Sequence, residues 1–342
     1  MDLKNLLEKN VKEIDKVIMS FLPDSHSIKE IDLLYKMLRE YPSRPKKGLR
    51  STLCLLSCEA FGGSYHSALI TASALEIFQN WILIHDDIED QSELRRGKPT
   101  LHRMYNVPLA LNAGDALHGK MWELLLKNRE ILGDTKTLDI MLEIIHMIRE
   151  TTEGQNMELG WVYENKWELN YEDYITMVEK KTSWYTCITP LRLGALIADA
   201  EREKMDKMIK FGKDLGIAFQ IRDDHLNLVE GEGKYGKEWA GDLFEGKRTL
   251  QLIHLIKNCE SLERERVLEI MSKRREDKSK EDILYIFNLM KKYNSLDFSL
   301  SMAQEYAKRA KEEFYEIFGD LPNTEAKNYL EEIVDFMISR KW

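Results

Sequence analysis

From Tyr65 to Asp90 the chain reads YHSALITASALEIFQNWILIHDDIED. Neither proline nor glycine interrupts this stretch, and apolar residues occupy most positions around a helical wheel. A helix that is apolar nearly all round belongs in the middle of a core. Its far end is the opposite in character: Asp86, Asp87, Glu89 and Asp90 crowd together. At 3.6 residues per turn Asp86 and Asp90 leave the helix on one face, and Asp87 stands three residues before Asp90. Like charges one turn apart repel by about 0.2–0.5 kcal/mol, and the C-terminal end of a helix dipole disfavours anions. Hard, oxygen-seeking Mg²⁺ ions bridging to phosphate groups would relieve both penalties. A solvated helix end explains the cluster equally well by itself.

Working outward, a period of three to four residues dominates almost everywhere. Leu3, Leu6, Leu7, Val11, Ile14 and Ile18 form a stripe that Pro23 ends. A second helix runs from near Ser27 to before Pro42, residues 41–47 form a proline-bearing loop, and residues 49–61 form a helix closed by Gly62 and Gly63. After a charged loop at 91–100, helices are expected at 108–129, 134–153, 170–198 with a kink at Pro190, 201–229, 248–258, 261–274, 279–293, 297–317 and 323–340. A glycine-rich loop fills 230–247. With only 7 prolines and 18 glycines in 342 residues, no alternating strand pattern and no linker, the expectation is one all-α domain of about a dozen helices spanning residues 1–342.

A second polar face lies in Phe219–Asn227. Gln220, Asp223, Asp224 and Asn227 recur at three- and four-residue steps among Ile217, Phe219, Ile221 and Leu226. Basic residues complete the electrostatics: Arg95 and Arg96 just after the first carboxylates, Lys180 and Lys181 within an apolar stretch, Lys237 and Lys247 in the glycine-rich loop, and Lys47 and Arg50 after the proline loop. Together they describe a site for two anionic groups, one held through metal and one held directly by Lys and Arg.

The net charge of −9 argues against a nucleic-acid surface. Cys54 and Cys58 lie at i, i+4, but no second Cys/His pair has zinc-like spacing, so buried free thiols are expected. The N-terminus lacks the order of a signal peptide, and no unbroken apolar run approaches the roughly 20 residues of a membrane span. A cytoplasmic protein without a transmembrane segment is expected.

The chain resembles the trans-type isoprenyl (polyprenyl) diphosphate synthases. The likeness rests on His85–Asp90 followed by Leu94-Arg95-Arg96-Gly97-Lys98-Pro99-Thr100, on Phe219–Asn227, on Gly236-Lys237 through Gly241-Asp242 to Glu245-Gly246-Lys247, and on Gly154-Gln155 and Lys181-Thr182. The resemblance implies an isoprenoid-synthase bundle of helices around a central cavity. It implies condensation of isopentenyl diphosphate with an allylic diphosphate, aided by three Mg²⁺ ions, with Mn²⁺ as a substitute. It implies Asp86, Asp90 and Asp223 as principal metal ligands, supported by Asp87, Asp224 and Asn227. Arg95, Lys181, Lys237 and Lys247 would hold the allylic diphosphate, and Lys47, Arg50, Gln79 and Arg96 isopentenyl diphosphate. Thr182 and Gln220 would turn oxygen dipoles towards developing positive charge. A homodimer is implied as well.

Four departures from the family pattern stand out: Asn227 where Asp is common, Gly48 where an arginine is common, Glu158 where Asp is common, and no two-residue insertion in the first motif. Trp81, five residues before Asp86 and ~7.5 Å below it, is either plain core or the floor for a growing chain, with Phe78 and Ile82 beside it. A bulky floor without the insertion points to a C20 product first and C15 or a longer chain as alternatives. A class I terpene cyclase is disfavoured because Asp223–Asn227 lacks that family's second motif. A non-catalytic synthase subunit is disfavoured because both aspartate motifs persist.

Overall fold

The computed structural model describes residues 2–229 and 239–339. In chain order the elements are α1 (Leu3–Phe21), α2 (Lys29–Glu40), α3 (Leu49–Ala60), α4 (Tyr65–Glu89), strands β1 (Leu94–Arg95) and β2 (Lys98–Pro99), α5 (Leu101–Met104), α6 (Val107–Leu126) and α7 (Arg129–Tyr163). There follow α8 (Tyr171–Val178), a π-helical stretch (Glu179–Ile188), α9 (Thr189–Ile197), α10 (Arg202–Val229), α11 (Gly241–Glu245), α12 (Leu250–Asn258) and α13 (Ser261–Met271). A 3₁₀ turn (Arg275–Asp277), α14 (Lys280–Lys292), α15 (Ser295–Phe318) and α16 (Glu325–Ser339) close the chain. The class is all-α: the antiparallel β1–β2 pair is the only sheet among the described residues.

These elements gather into two compact units. The first comprises Met1–Met147, Thr186–Ile209 and Phe314–Ile333. At its centre α4 packs against α3 and α6, and α3 packs on α9. Ser64 starts α4, its side chain accepting from the Ser67 N–H at 3.1 Å. By length and composition α4 could cross a membrane, yet 67% of its apolar window is buried inside the protein, as befits a central core helix. Cys54 and Cys58 are free and buried in this unit, and burial pushes the Cys54 thiol well above its usual pKa.

The second unit comprises Ile148–Tyr185, Lys210–Glu313 and Val334–Trp342. It holds two apolar clusters. One contains Leu228, Leu243, Leu252, Ile283 and Ile286, the other Trp161, Tyr174, Val178, Ile217 and Ile221. The C-terminal part of α10 contributes to both, so its polar face is carried on a rigid rod.

Three expected element boundaries are corrected. The helix expected to end at residue 153 continues to Tyr163, because Gly154 serves a close approach and not a stop. The expected single helix at 170–198 is three segments, and the change of pitch begins at Glu179, well before Pro190. Pro190 falls in the first turn of α9, where its missing N–H costs nothing. Lys180, Lys181 and Thr182 thus ride on a π-helical stretch, a distortion that recurs at functional sites. Finally, the loop at 230–247 contains the short helix α11; its residues 230–238, Lys237 among them, lie outside the described residues.

Candidate active site

In the first unit the end of α4 sorts its aspartates by burial. Asp86 and Asp90 are partly exposed, whereas Asp87 is fully buried. The Asp87 carboxylate accepts from Arg95 Nε at 2.8 Å and from Arg95 Nη2, and its other oxygen accepts from the Tyr41 hydroxyl at 2.5 Å. Asp86 receives a longer contact from Arg95 Nη2, at 3.4 Å. Burial opposes the Arg95 charge, but Asp87, with Asp86 behind it, outweighs that cost and holds the guanidinium above its ordinary pKa. Asp87, expected from the sequence to support the metal shell, has both oxygens engaged by protein donors and anchors Arg95.

The basic groups of the same unit form a neighbouring cluster. Arg50 Nη2 donates to Thr186 Oγ1 at 2.8 Å. With the Gln79 amide oriented to satisfy its partners, the Gln79 oxygen accepts from Arg50 Nη1 at 3.0 Å and its nitrogen donates to Glu76 Oε2 at 3.3 Å. Arg96 donates to the Tyr41 carbonyl at 3.2 Å, and burial lowers its pKa while the Glu76 charge pulls the other way. Lys47 is exposed. Glu76 is fully buried and accepts from Ser51 Oγ at 2.8 Å. Sequence reasoning passed over Glu76, although it is the one carboxylate inside the apolar run of α4. Gly48, noted as a missing arginine, adopts a left-handed φ of 60°, and a Cβ there would meet Val11 at 2.5 Å. The local backbone therefore favours glycine at that position.

Below Asp86 an aromatic stack closes α4 against α6. Trp81 lies parallel to His118, ring centroids 4.0 Å apart at 12°, and edge-on to Phe78 at 5.4 Å. Trp122 Nε1 donates to His118 Nε2 at 3.0 Å, and burial lowers the His118 pKa while Asp115 pulls the other way. Phe78 and Trp81 are buried and Ile82 is partly so. His118 escaped the sequence reading; its i, i+4 spacing to Trp122 was the available signal.

In the second unit a chain of hydrogen bonds crosses from the π-helical stretch to α10. Thr182 Oγ1 donates to Gln220 Oε1 at 3.0 Å, Gln220 Nε2 donates to Asp224 Oδ1 at 2.7 Å, and Tyr174 donates to Asp224 Oδ2 at 2.6 Å. Burial, with Asp242 nearby, pushes the Asp224 carboxyl well above the usual carboxylate range despite these donors. Asp223, next along α10, is partly exposed. Lys181 pairs with the buried Glu158. Asn227 Oδ1 accepts from the Asp242 N–H at 3.3 Å, and its carbonyl accepts from the Ala240 N–H at 2.9 Å. Lys247 lies 2.9 Å from Glu245 and 3.8 Å from Asp242.

Two further residues of the polar face of α10 have protein partners of their own. Asp224 and Asn227, grouped by sequence with the metal shell, have their side-chain oxygens turned to protein donors: Asp224 fixes Gln220, and Asn227 fixes the start of α11. Asn227 needs no charge for that task, which accounts for an amide at this position. Asp86, Asp90 and Asp223 are each partly exposed. Among the described residues no group of three or more His, Cys, Asp or Glu converges. The open carboxylates at the end of α4 suit a hard cation whose remaining ligands would come from water and phosphate oxygens.

An all-helical fold with two separate aspartate-bearing helix faces, each accompanied by Lys and Arg, defines a class of diphosphate-handling synthases. The polyprenyl synthetase family model matches residues 31–290. The geranylgeranyl diphosphate synthase of Sulfolobus acidocaldarius is 32% identical over 342 residues, covering 98% of both chains. The geranylfarnesyl diphosphate synthase of Natronomonas pharaonis is 28% identical, again over 98% of both. The crystal structure of geranylgeranyl pyrophosphate synthetase from Pyrococcus horikoshii superposes with a TM-score of 0.86 at 32% identity, covering 99% of this chain and 98% of that one. The chain belongs to the polyprenyl synthetase family and is a prenyltransferase.

Proposed function

We propose that the chain condenses isopentenyl diphosphate with an allylic diphosphate and releases mainly the C20 product, geranylgeranyl diphosphate. The observation that carries this reading is the pairing, on one helix, of the Asp86–Asp90 face with the Trp81–His118 stack ~7.5 Å below it. A diphosphate held at that face would direct its hydrocarbon tail down an apolar helix towards an aromatic floor. The relative from Sulfolobus carries the C20 name, and the one from Natronomonas the name of a C25 enzyme.

Asp86, Asp90 and Asp223 are the residues proposed to hold Mg²⁺, three ions in all. When bound, the metal would neutralise charge that grows on the departing diphosphate. Arg95, Lys181 and Lys247, with Lys237, are proposed to bind the allylic diphosphate, and Lys47, Arg50, Gln79 and Arg96 the second diphosphate. The allylic C–O bond breaks with its electron pair leaving on the diphosphate. The C4 double-bond carbon of isopentenyl diphosphate then attacks the allylic C1, and a proton leaves C2 to restore a double bond. Thr182 donates to Gln220, which leaves hydroxyl lone pairs able to face the cation. Apolar walls exclude water that would otherwise trap it. No side chain is assigned as general base; the released diphosphate takes the proton.

Product analysis with Mg²⁺, isopentenyl diphosphate and C5, C10 or C15 primers tests the reading. One dominant C20 diphosphate is expected; hydrocarbons or alcohols formed without isopentenyl diphosphate would mark a cyclase. In the same assay Trp81→Ala and His118→Ala should each shift the product beyond C20. An unchanged length in both would remove the floor.

A homodimer is also proposed. Leu138, Leu142 and Ile145 are 60%, 62% and 51% exposed, and their spacing puts them on one face of α7. Such a stripe fits burial against a second copy. Sedimentation equilibrium should give twice the chain mass at micromolar concentration; a monomer there would remove the proposal.

A further inference from the structure

We infer that Arg44 and Tyr41, at the turn after α2, are positioning residues that preset the Arg95–Arg96 pair for diphosphate binding. This inference rests on the proposed roles of those two arginines. The β1–β2 hairpin that carries them is two residues long on each side, too short to hold its own shape. Its tip is strained as well, because Arg96 adopts a left-handed φ of 54° beside Gly97 at 76°. Such a conformation persists only where the surroundings enforce it.

Arg44 supplies that enforcement. It is 1% exposed, and its guanidinium straddles the hairpin: Nη1 donates to the Arg95 carbonyl and Nη2 to the Pro99 carbonyl, both at 2.9 Å. Nε and Nη2 also donate to Glu40 Oε1 at 3.2 and 3.1 Å, which balances the buried charge. Its Cζ lies over the Tyr41 ring, 4.5 Å from the centroid. Only a planar fork can reach carbonyls on both strands at once, so a lysine cannot take its place.

Tyr41 extends the same frame to the side chains. Its hydroxyl donates to Asp87 at 2.5 Å and accepts from the Leu101 N–H at 3.1 Å. Asp87 in turn orients the Arg95 guanidinium, and the Tyr41 carbonyl receives Arg96 Nη1 at 3.2 Å. The Arg95 backbone is therefore tied to the turn at residues 41–44 directly and its side chain through Asp87, while Arg96 is tied to it by its side chain. A pre-organised guanidinium loses less freedom when it grips a phosphate.

Steady-state kinetics of Arg44→Met, Arg44→Lys, Tyr41→Phe, Arg95→Ala, Arg96→Ala and the Arg44→Met/Arg96→Ala double variant test the inference, with circular dichroism to verify folding. Arg44→Met should raise KM for both diphosphates about tenfold or more with a smaller change in kcat, and Arg44→Lys should not restore it. The double variant should be no worse than the more impaired single variant by more than about twofold, because both act through one group. A folded Arg44→Met protein with unchanged KM, beside an Arg96→Ala protein with raised KM, overturns the positioning role and leaves the diphosphate roles intact. Wild-type KM in both Arg95→Ala and Arg96→Ala removes those roles, and the inference with them. Should Arg44→Met not fold, Tyr41→Phe decides: it deletes one hydroxyl, and a raised allylic KM supports the inference while an unchanged one overturns it.

Discussion

Asp86→Ala is expected to lower kcat by on the order of 10²–10³-fold, the loss typical when one group that stabilises transition-state charge is removed. The expectation follows from how α4 ends. Asp86 is one of two partly exposed carboxylates on a single face of a buried helix, and its side chain is 17% exposed. Asp87 next to it is sealed against Arg95 and Tyr41. Removing the Asp86 carboxylate therefore deletes a proposed metal donor while leaving the buried ion pair to hold the helix end and the hairpin. Helical content and thermal midpoint should stay close to wild type, and the Mg²⁺ concentration for half-maximal activity should rise. Near-normal turnover at ordinary Mg²⁺ would sink the assignment of Asp86 as a ligand. Asp87→Asn should behave differently, with lost stability accompanying any loss of activity, because it strips the buried Arg95 of its counter-charge.

The contrast between Asp86 and Asp87 shows where the sequence was legible. Period and spacing placed the carboxylates on one helix end, because a run as apolar as Tyr65–Ile84 has no stable place outside a core. Spacing could not say which carboxylate faces solvent, since that depends on Tyr41 and Arg95, far apart in the chain and joined only by packing. The same holds for Asp224 and Asn227. Their positions on the polar face of α10 follow from a 3.6-residue repeat, whereas their partners Tyr174 and Asp242 come from other elements. Arg44 was read as part of a loop because nothing local to it reveals that the backbone of residues 95–99 will arrive around its guanidinium. Helix existence was read well; the end of α7 was not, because Gly154 carries the same letter whether it stops a helix or admits a neighbour.

Gly154→Ala should destabilise the protein by roughly 1–3 kcal/mol or more, as overpacking a tight contact does, and should depress kcat/KM about a hundredfold. Residue 154 lies well inside the helical part of α7 that follows the kink at Gly133, where Ala would ordinarily be preferred to Gly by about 1 kcal/mol. Packing reverses that preference. A Cβ at this position would stand 2.2 Å from the Lys181 backbone nitrogen, 2.7 Å from its Cα and 2.8 Å from the Lys180 carbonyl carbon. All three are backbone atoms of the π-helical stretch, so no side chain can rotate away to make room. The stretch itself must retreat, carrying with it the Lys181 ammonium that pairs with Glu158 and the Thr182 hydroxyl that reaches Gln220. Gly160 on the same helix provides the comparison, since a Cβ there meets nothing within 4 Å. Gly160→Ala should leave activity unchanged and raise the thermal midpoint slightly. Equal behaviour of the two variants in calorimetry and turnover would show that α7 and the Lys181 backbone are not in contact. A selective loss in Gly154→Ala would establish that the lysine and threonine of the site are set by the distance between two backbones.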